Sequence, residues 1–151
     1  MNFNTCSNFF IPTGFKVFNL FYRCVQSFLI THTNDAPAPI GPYSQAVIHN
    51  DLVYISGQIA IDRASGNLIN SDISAETEKV MKNLGYVLKA AVSSFSNVIK
   101  CTIFVKNMDD FSKINEAYGK SFYANPPARE TVEVSRLPKN VNVEIICIAY
   151  I

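Results

Sequence analysis

Two residues in this chain have the types and settings that small-molecule chemistry needs. Arg129 follows the stiff, extended run Asn125-Pro126-Pro127-Ala128 and opens a strand-like segment, Glu130-Thr131-Val132-Glu133-Val134. A guanidinium fixed at a strand start is a planar fork of donors, shaped to grip a carboxylate by two parallel hydrogen bonds. Just beyond the next turn, Glu144 lies in a nearly apolar strand, Val141 to Tyr150. A carboxylate among Ile and Val is poorly solvated, which makes it a candidate base. Together they suggest a site for a small anion on which a proton must be moved. Other chemistries leave no trace. The sequence carries no Ser/His/Asp set, no phosphate-cradling glycine loop and no metal-ligand cluster. His49, the one histidine of the chain's body, reads as a strand-end residue.

Bulk properties narrow the partners. The 151 residues are 48% hydrophobic and 17% charged, which suits one compact domain with a real core. A net charge of +1 gives no broad pull toward nucleic acid or anionic lipid. Cys6, Cys24, Cys101 and Cys147 form no C-x-x-C pair, which argues against a zinc site or a disulfide framework. Cys101 and Cys147 then read as small core residues in a reducing setting.

The chain divides unequally. Residues 1–34 contain no Asp or Glu, carry Lys16 and Arg23, and hold seven of the eleven Phe. Pro12, Lys16 and Arg23 interrupt the apolar stretches, so a membrane span is not expected there. An acid-free, weakly basic, aromatic-rich leader reads as a targeting segment for an organelle, mitochondrial or plastid-like. A floppy arm on a cytoplasmic protein is the alternative. The stretch Asn34-Asp35-Ala36-Pro37-Ala38-Pro39 marks the boundary, and the domain runs over 35–151.

Elements that would position the two residues follow from periodicity. Tyr43 to His49 and Leu52 to Ile59 alternate as strands, with Asn50-Asp51 as a hairpin turn. Asp72 or Ser74 caps a helix with Glu76 and Glu78 in its first turn and an apolar stripe of Val80, Leu84, Val87, Leu88 and Ala91. Gly85 inside that helix costs about 1 kcal/mol against Ala and points to close packing. Val98 to Lys106 is a strand. A second helix runs from about Asp109 to Tyr123, with Phe111, Ile114, Tyr118 and Phe122 on one face. Strands near 130–136 and 141–150 flank Leu137-Pro138-Lys139-Asn140. The order is β-β-α-β-α-β-β. Two helices cover only one sheet face, yet the strands carry apolar residues on both: Val53 and Ile55 against Leu52 and Tyr54, and Ile145 and Cys147 against Ile146, Ile148 and Tyr150. An antiparallel sheet with a wet face alternates more cleanly. Other subunits are therefore expected to cover the second face.

Five short motifs add a family resemblance. Gly41-Pro42-Tyr43-Ser44-Gln45-Ala46, Ser56-Gly57-Gln58-Ile59, Pro127-Ala128-Arg129, Val132-Glu133-Val134 with Leu137-Pro138, and Val143-Glu144-Ile145 resemble, in order and spacing, the reactive intermediate deaminase (Rid) family. That family is also called the endoribonuclease L-PSP family. The resemblance implies an α+β, chorismate-mutase-like sheet with two helices on one face, and a homotrimer with sites at its subunit interfaces. It implies hydrolysis of 2-imino acids or their enamine tautomers (2-aminoacrylate, 2-iminobutanoate, 2-iminopropanoate) to 2-oxo acids and ammonia, with no metal or organic cofactor.

Site roles carry over residue by residue. Arg129 matches the carboxylate-binding arginine, against a structural ion pair with Glu133. Glu144 matches the glutamate that positions the attacking water, against pairing with Lys139. Tyr43 matches a site tyrosine, against a half-buried core tyrosine. Ser56 and Gly57 match a pocket pair, with a bulge as the other reading of Gly57. Asn115 matches a site-adjacent asparagine, against a helix–loop hydrogen bond. Thr131 stands where many relatives carry Cys, so only its backbone N–H remains for the carboxylate. Ile146 replaces a common second acidic residue and leaves Glu144 with one like charge fewer nearby. Two rival functions remain: RNA cleavage or translation inhibition, against which the neutral body and the absence of a histidine pair argue, and a non-catalytic ligand-binding or chaperone-like trimer.

Overall fold

A computed structural model of the chain describes residues 28–151, and every structural statement concerns these. They form one mixed sheet of six strands: β1 (Leu29–Thr31), β2 (Ala46–His49), β3 (Leu52–Gln58), β4 (Val98–Val105), β5 (Ala128–Glu133) and β6 (Val143–Tyr150). The spatial order is β1-β2-β3-β6-β4-β5. Neighbours are antiparallel except β4 and β5. That parallel pair needs a crossover, and helix α2 (Phe111–Gly119) supplies it. Helix α1 (Ile73–Ala90) links β3 to β4.

The expected order stands, with one strand added in front. Leu29–Thr31 pairs with β2 through Ile30↔Val47, inside the segment that the sequence reading gives to the leader. The rest of that reading falls on residues 1–27, outside the described residues. Several other bounds move, three of them with consequences for the candidate site or the core. β2 starts at Ala46, which leaves Tyr43 in the preceding loop. α2 stops at Gly119, short of Tyr123, although Phe122 still packs on Tyr118 with ring centroids 4.7 Å apart. β5 starts at Ala128, so Arg129 is already paired within the sheet, opposite Cys101.

Local chemistry explains the joints. His49 pairs with Leu52, and Asn50 takes φ 53° in the two-residue turn between them, a conformation that Asn tolerates. Asp72, not Ser74, caps α1: its Oδ1 accepts from the N–H of Ser74 at 2.9 Å and of Ala75 at 3.1 Å. Gly85 faces Phe95, where an added Cβ would sit 3.1 Å from the ring. The close packing expected there is present.

The core lies between the helices and one sheet face. Val53, Ile55, Cys101, Ile103, Ile145 and Cys147 meet Val80, Leu84, Val87, Leu88 and Ile114, all buried. Cys101 and Cys147 are free thiols opposite one another on β4 and β6. The other face has no cover among the described residues. Tyr54 is 43% exposed there and Tyr150 46%, beside the half-buried Leu52, Ile146 and Ile148. Glu130 joins Lys100 and Thr102 on the same face through an ion pair and a hydrogen bond. A smaller cluster of Ile59, Ile61, Leu137 and Val141 ties the loop after β3 to the loop before β6. No helix among the described residues is long and apolar enough to cross a membrane.

Candidate active site

The predicted residues gather into two groups on opposite faces of the sheet. The first is built at a bulge. Ile55 pairs with Cys147 and Gln58 with Ile145, so Ser56 and Gly57 together oppose Ile146 alone. The extra residue bends β3 and opens its end. Glu144, the second residue of β6, lays its side chain over the opened backbone at Gly57. A Cβ at Gly57 would overlap Oε1 of Glu144 and lie 2.7 Å from its Cδ. The missing side chain is what accommodates the carboxylate. Gly57 belongs to the bulge, and its bare backbone makes room for the Glu144 side chain.

Ser56 fixes the neighbouring loop. Its Oγ donates to the Ser44 carbonyl at 2.7 Å, and its N–H donates to the Gln45 carbonyl at 3.0 Å. Gln45 is 2% exposed and anchors the loop from the other side. Its Nε2 donates to the Thr33 carbonyl at 3.1 Å and the Pro37 carbonyl at 2.8 Å, while its Oε1 accepts from the Thr33 N–H at 2.7 Å. The sequence motif contains Gln45, yet nothing in it signals this structural role. Tyr43 is held in turn, its hydroxyl accepting from the Ile40 N–H at 3.2 Å. At 45% exposure it is a pocket wall and not a core tyrosine.

Tyr43, Ser56, Gly57 and Glu144 line one side of a cavity of about 220 Å3, and Ile40, Ile59 and Pro138 line the other. That volume suits a metabolite of a few heavy atoms. The Glu144 side chain makes no hydrogen bond or ion pair with any other described residue. Burial alone raises its pKa above the ordinary carboxylate range. The alternative partner, Lys139, does not reach it: Lys139 sits at φ 54° in the turn before β6, and the described ion pairs do not include it.

The second group lies on the helix side. The Nη1 of Arg129 donates to Oδ1 of Asn115 on α2 at 2.7 Å. Its guanidinium carbon stands 5.0 Å from the Tyr118 ring centroid and 5.6 Å from that of Phe111. The plane is therefore clamped by an acceptor and two ring faces, worth about 0.5–1 kcal/mol per ring at such partly exposed sites. No carboxylate pairs with Arg129 among the described residues. Glu133, the alternative partner, accepts from the Met108 N–H at 2.8 Å instead. Asn115 thus orients the arginine; the bond it makes is to a side chain on β5, not to a loop. Arg129, Asn115 and Tyr118 border an open cavity of about 400 Å3 beside Pro126 and Pro127. Thr131 follows on the same face, half-buried opposite Ile103.

Sheet alternation separates the groups. Arg129 pairs with Cys101, which points into the core, whereas Glu144 pairs with Phe104 on the uncovered face. Within one chain the fork and the carboxylate do not share a cleft. Among the described residues no group of three or more His, Cys, Asp or Glu could hold a metal ion.

Known proteins share this fold and much of this sequence. The family model described as Endoribonuclease L-PSP matches residues 33–151. A human protein named 2-iminobutanoate/2-iminopropanoate deaminase is 42% identical over 120 residues, covering 80% of this chain and 88% of its own length. An Arabidopsis thaliana protein named Reactive Intermediate Deaminase A, chloroplastic, is also 42% identical over 120 residues, with 80% of this chain and 64% of that protein covered. Among solved structures, a Yersinia pestis protein of unknown function of the conserved Rid family superposes with a TM-score of 0.81 at 42% identity, over 83% of this chain and 100% of that one. The chain belongs to the endoribonuclease L-PSP family, whose members include reactive intermediate deaminases.

Proposed function

We propose that the protein hydrolyses 2-imino acids and their enamine tautomers, such as 2-iminobutanoate, 2-iminopropanoate and 2-aminoacrylate, to 2-oxo acids and ammonia. The observation that carries this reading is the unpaired, desolvated carboxylate of Glu144 over Gly57, at the wall of a cavity of metabolite size. A protonated imine carbon is electrophilic. Water adds to it while Glu144 takes the water's proton, giving a carbinolamine. The same proton then goes to the amine nitrogen; the C–N bond breaks as the carbinolamine hydroxyl gives its proton to Glu144, leaving a C=O in place of C=N, and the departing ammonia takes that proton away as ammonium. General-base help of this kind is worth about 10²–10⁴-fold.

The substrate's carboxylate needs a cation, and none of the residues lining the Glu144 cavity is one. Arg129 is preset by Asn115 but faces the other way. A second copy of the chain, docked on the uncovered sheet face, supplies it, and a homotrimer completes three such sites. Glu144, Tyr43 and Ser56 then come from one copy, and Arg129, Asn115 and Thr131 from its neighbour.

The test is imine hydrolysis in a coupled threonine dehydratase assay. Arg129→Ala and Glu144→Ala homo-oligomers are each expected to be inactive, and co-refolded mixtures of the two to regain turnover. Mixtures that stay inactive place both residues in one copy's site and defeat the composite assignment. A parent that binds 2-oxobutanoate without accelerating hydrolysis defeats the enzyme reading. We also propose an organellar destination, resting on the acid-free composition of residues 1–34; a fluorescent fusion carrying only those residues that stays cytoplasmic refutes it.

A further inference from the structure

Helix α1 carries a glutamate with no solvent contact that points at the strand bearing Glu144. Glu76 is 0% exposed. Its Oε1 accepts from the Asn142 N–H at 2.7 Å and from the Val143 N–H at 3.4 Å, and its Oε2 accepts from Asn142 Nδ2 at 2.8 Å. The two N–H groups belong to the two residues immediately before Glu144, where β6 leaves the turn. One turn pair further along α1, Asn83 is also 0% exposed, and its Nδ2 donates to the carbonyls of Ile59 and Ile61, both at 3.0 Å. Ile59 walls the same cavity. One helix thus grips the cavity's two flanks through two buried polar side chains.

We propose that Glu76 is a positioning residue for Glu144, setting where β6 enters the sheet and so where its carboxylate stands. Burying a carboxylate is costly unless its oxygens are hydrogen-bonded, and a plain core position here would take an apolar residue. The geometry turns that cost to use. A strand end fixes its own side chains only as well as its backbone is tied, and the turn before β6 is irregular, with Lys139 at φ 54° and Asn140 at φ 58°. Without Glu76 the amides of Asn142 and Val143 lose their acceptor. They then seek water, and the first turn of β6 swings with them. Arg129 sits two strands away on the other face, so the carboxylate-binding side is untouched.

This inference rests on the deaminase reading and separates from it in the assay. Glu76→Ala lowers kcat by about 10–100-fold, the cost of misplacing a reacting group by roughly 1 Å, while the Kd for 2-oxobutanoate stays within about twofold, because Arg129 is intact. Glu76→Gln keeps an oxygen for the two N–H groups, and an amide flip at Asn142 restores the third bond; kcat stays within about threefold of the parent. Amide exchange at Asn142 and Val143 is slow in the parent and in Glu76→Gln, and fast in Glu76→Ala. Should Glu76→Ala fail to fold, Glu76→Gln and Asn142→Ala carry the same comparison. An active parent with unchanged kcat in folded Glu76→Ala, or with kcat and binding falling together, overturns the positioning role alone. An inactive parent overturns both readings.

Discussion

Replacing Gly57 by Ala is the sharpest test of the proposed base. Gly57 has no backbone conformation that excludes alanine, so the substitution acts through space alone. The new methyl would overlap Oε1 of Glu144, lie 2.7 Å from Cδ and 3.0 Å from Cγ, where ordinary contact starts at 3.4 Å. The carboxylate carbon must retreat by about 0.7 Å, and the oxygen by more. A glutamate is flexible enough to do this by leaving its rotamer well, at about 0.5–1.5 kcal/mol. The fold should survive with a Tm only a few degrees lower. Catalysis should not survive, since a misplacement near 1 Å costs about 10²-fold. We expect kcat in the coupled dehydratase assay to fall by about two orders of magnitude, with little change in 2-oxobutanoate binding. The double variant supplies the control. In a Glu144→Ala background, Gly57→Ala should cost nothing further, because the two changes remove one interaction. A parental rate in Gly57→Ala, or full additivity in the double variant, refutes the claim that Gly57 exists to seat a catalytic carboxylate.

Glu144→Gln should abolish most turnover and yet raise stability. Burial lifts the Glu144 pKa, so the folded state binds its proton more readily than the unfolded one; that contribution is complete below the ordinary carboxylate range and is lost as pH rises through the raised value. The Gln variant should therefore melt higher than the parent at pH 7 and equal to it in acid, by calorimetry; an unchanged difference across pH counts against the desolvation. The parent's kcat should fall on its acid side at a pH above the ordinary glutamate value, and a limb at that ordinary value would contradict the same point. Asn115→Ala should raise KM by about tenfold with kcat nearly unchanged, because a hydrogen bond to a charged group is worth about 1.5–3 kcal/mol and this one orients Arg129. Arg129→Lys keeps the charge but loses the fork, and kcat/KM should drop at least about tenfold with the fold intact; near-parental turnover would remove Arg129 from the site.

Periodicity and turn chemistry made most of the fold legible. The stripe Val80, Leu84, Val87 and Leu88 specified α1, Asn50-Asp51 specified a hairpin, and apolar residues on both sheet faces pointed to a missing cover. β1 escaped because Leu29–Thr31 follows a Phe-rich stretch of similar composition, so no local contrast marks it; only pairing with β2 makes it a strand. Asp72 and Ser74 were equally good caps by type, and the backbone trajectory chose between them. The 3.6-residue pattern ran on to Phe122, but helix geometry ended at Gly119, and Phe122 reached Tyr118 from a turn.

The residue types of the candidate site were written in the chain: a fork donor in a stiffened strand start, a carboxylate in an apolar strand, and a Ser-Gly pair on an earlier strand. Types and spacing along a strand say which residues alternate, but not which strands become neighbours. Strand order placed Arg129 two strands from Glu144 and on the opposite face, because both partners on β4 are fixed by register, Cys101 inward and Phe104 outward. The bulge that seats Glu144 over Gly57, and the reach of Glu76 across 66 residues to Asn142, are likewise long-range facts. Hydrogen bonds between distant segments exist only once the chain has packed, so tertiary structure alone decided how the legible residues were divided and what holds them still.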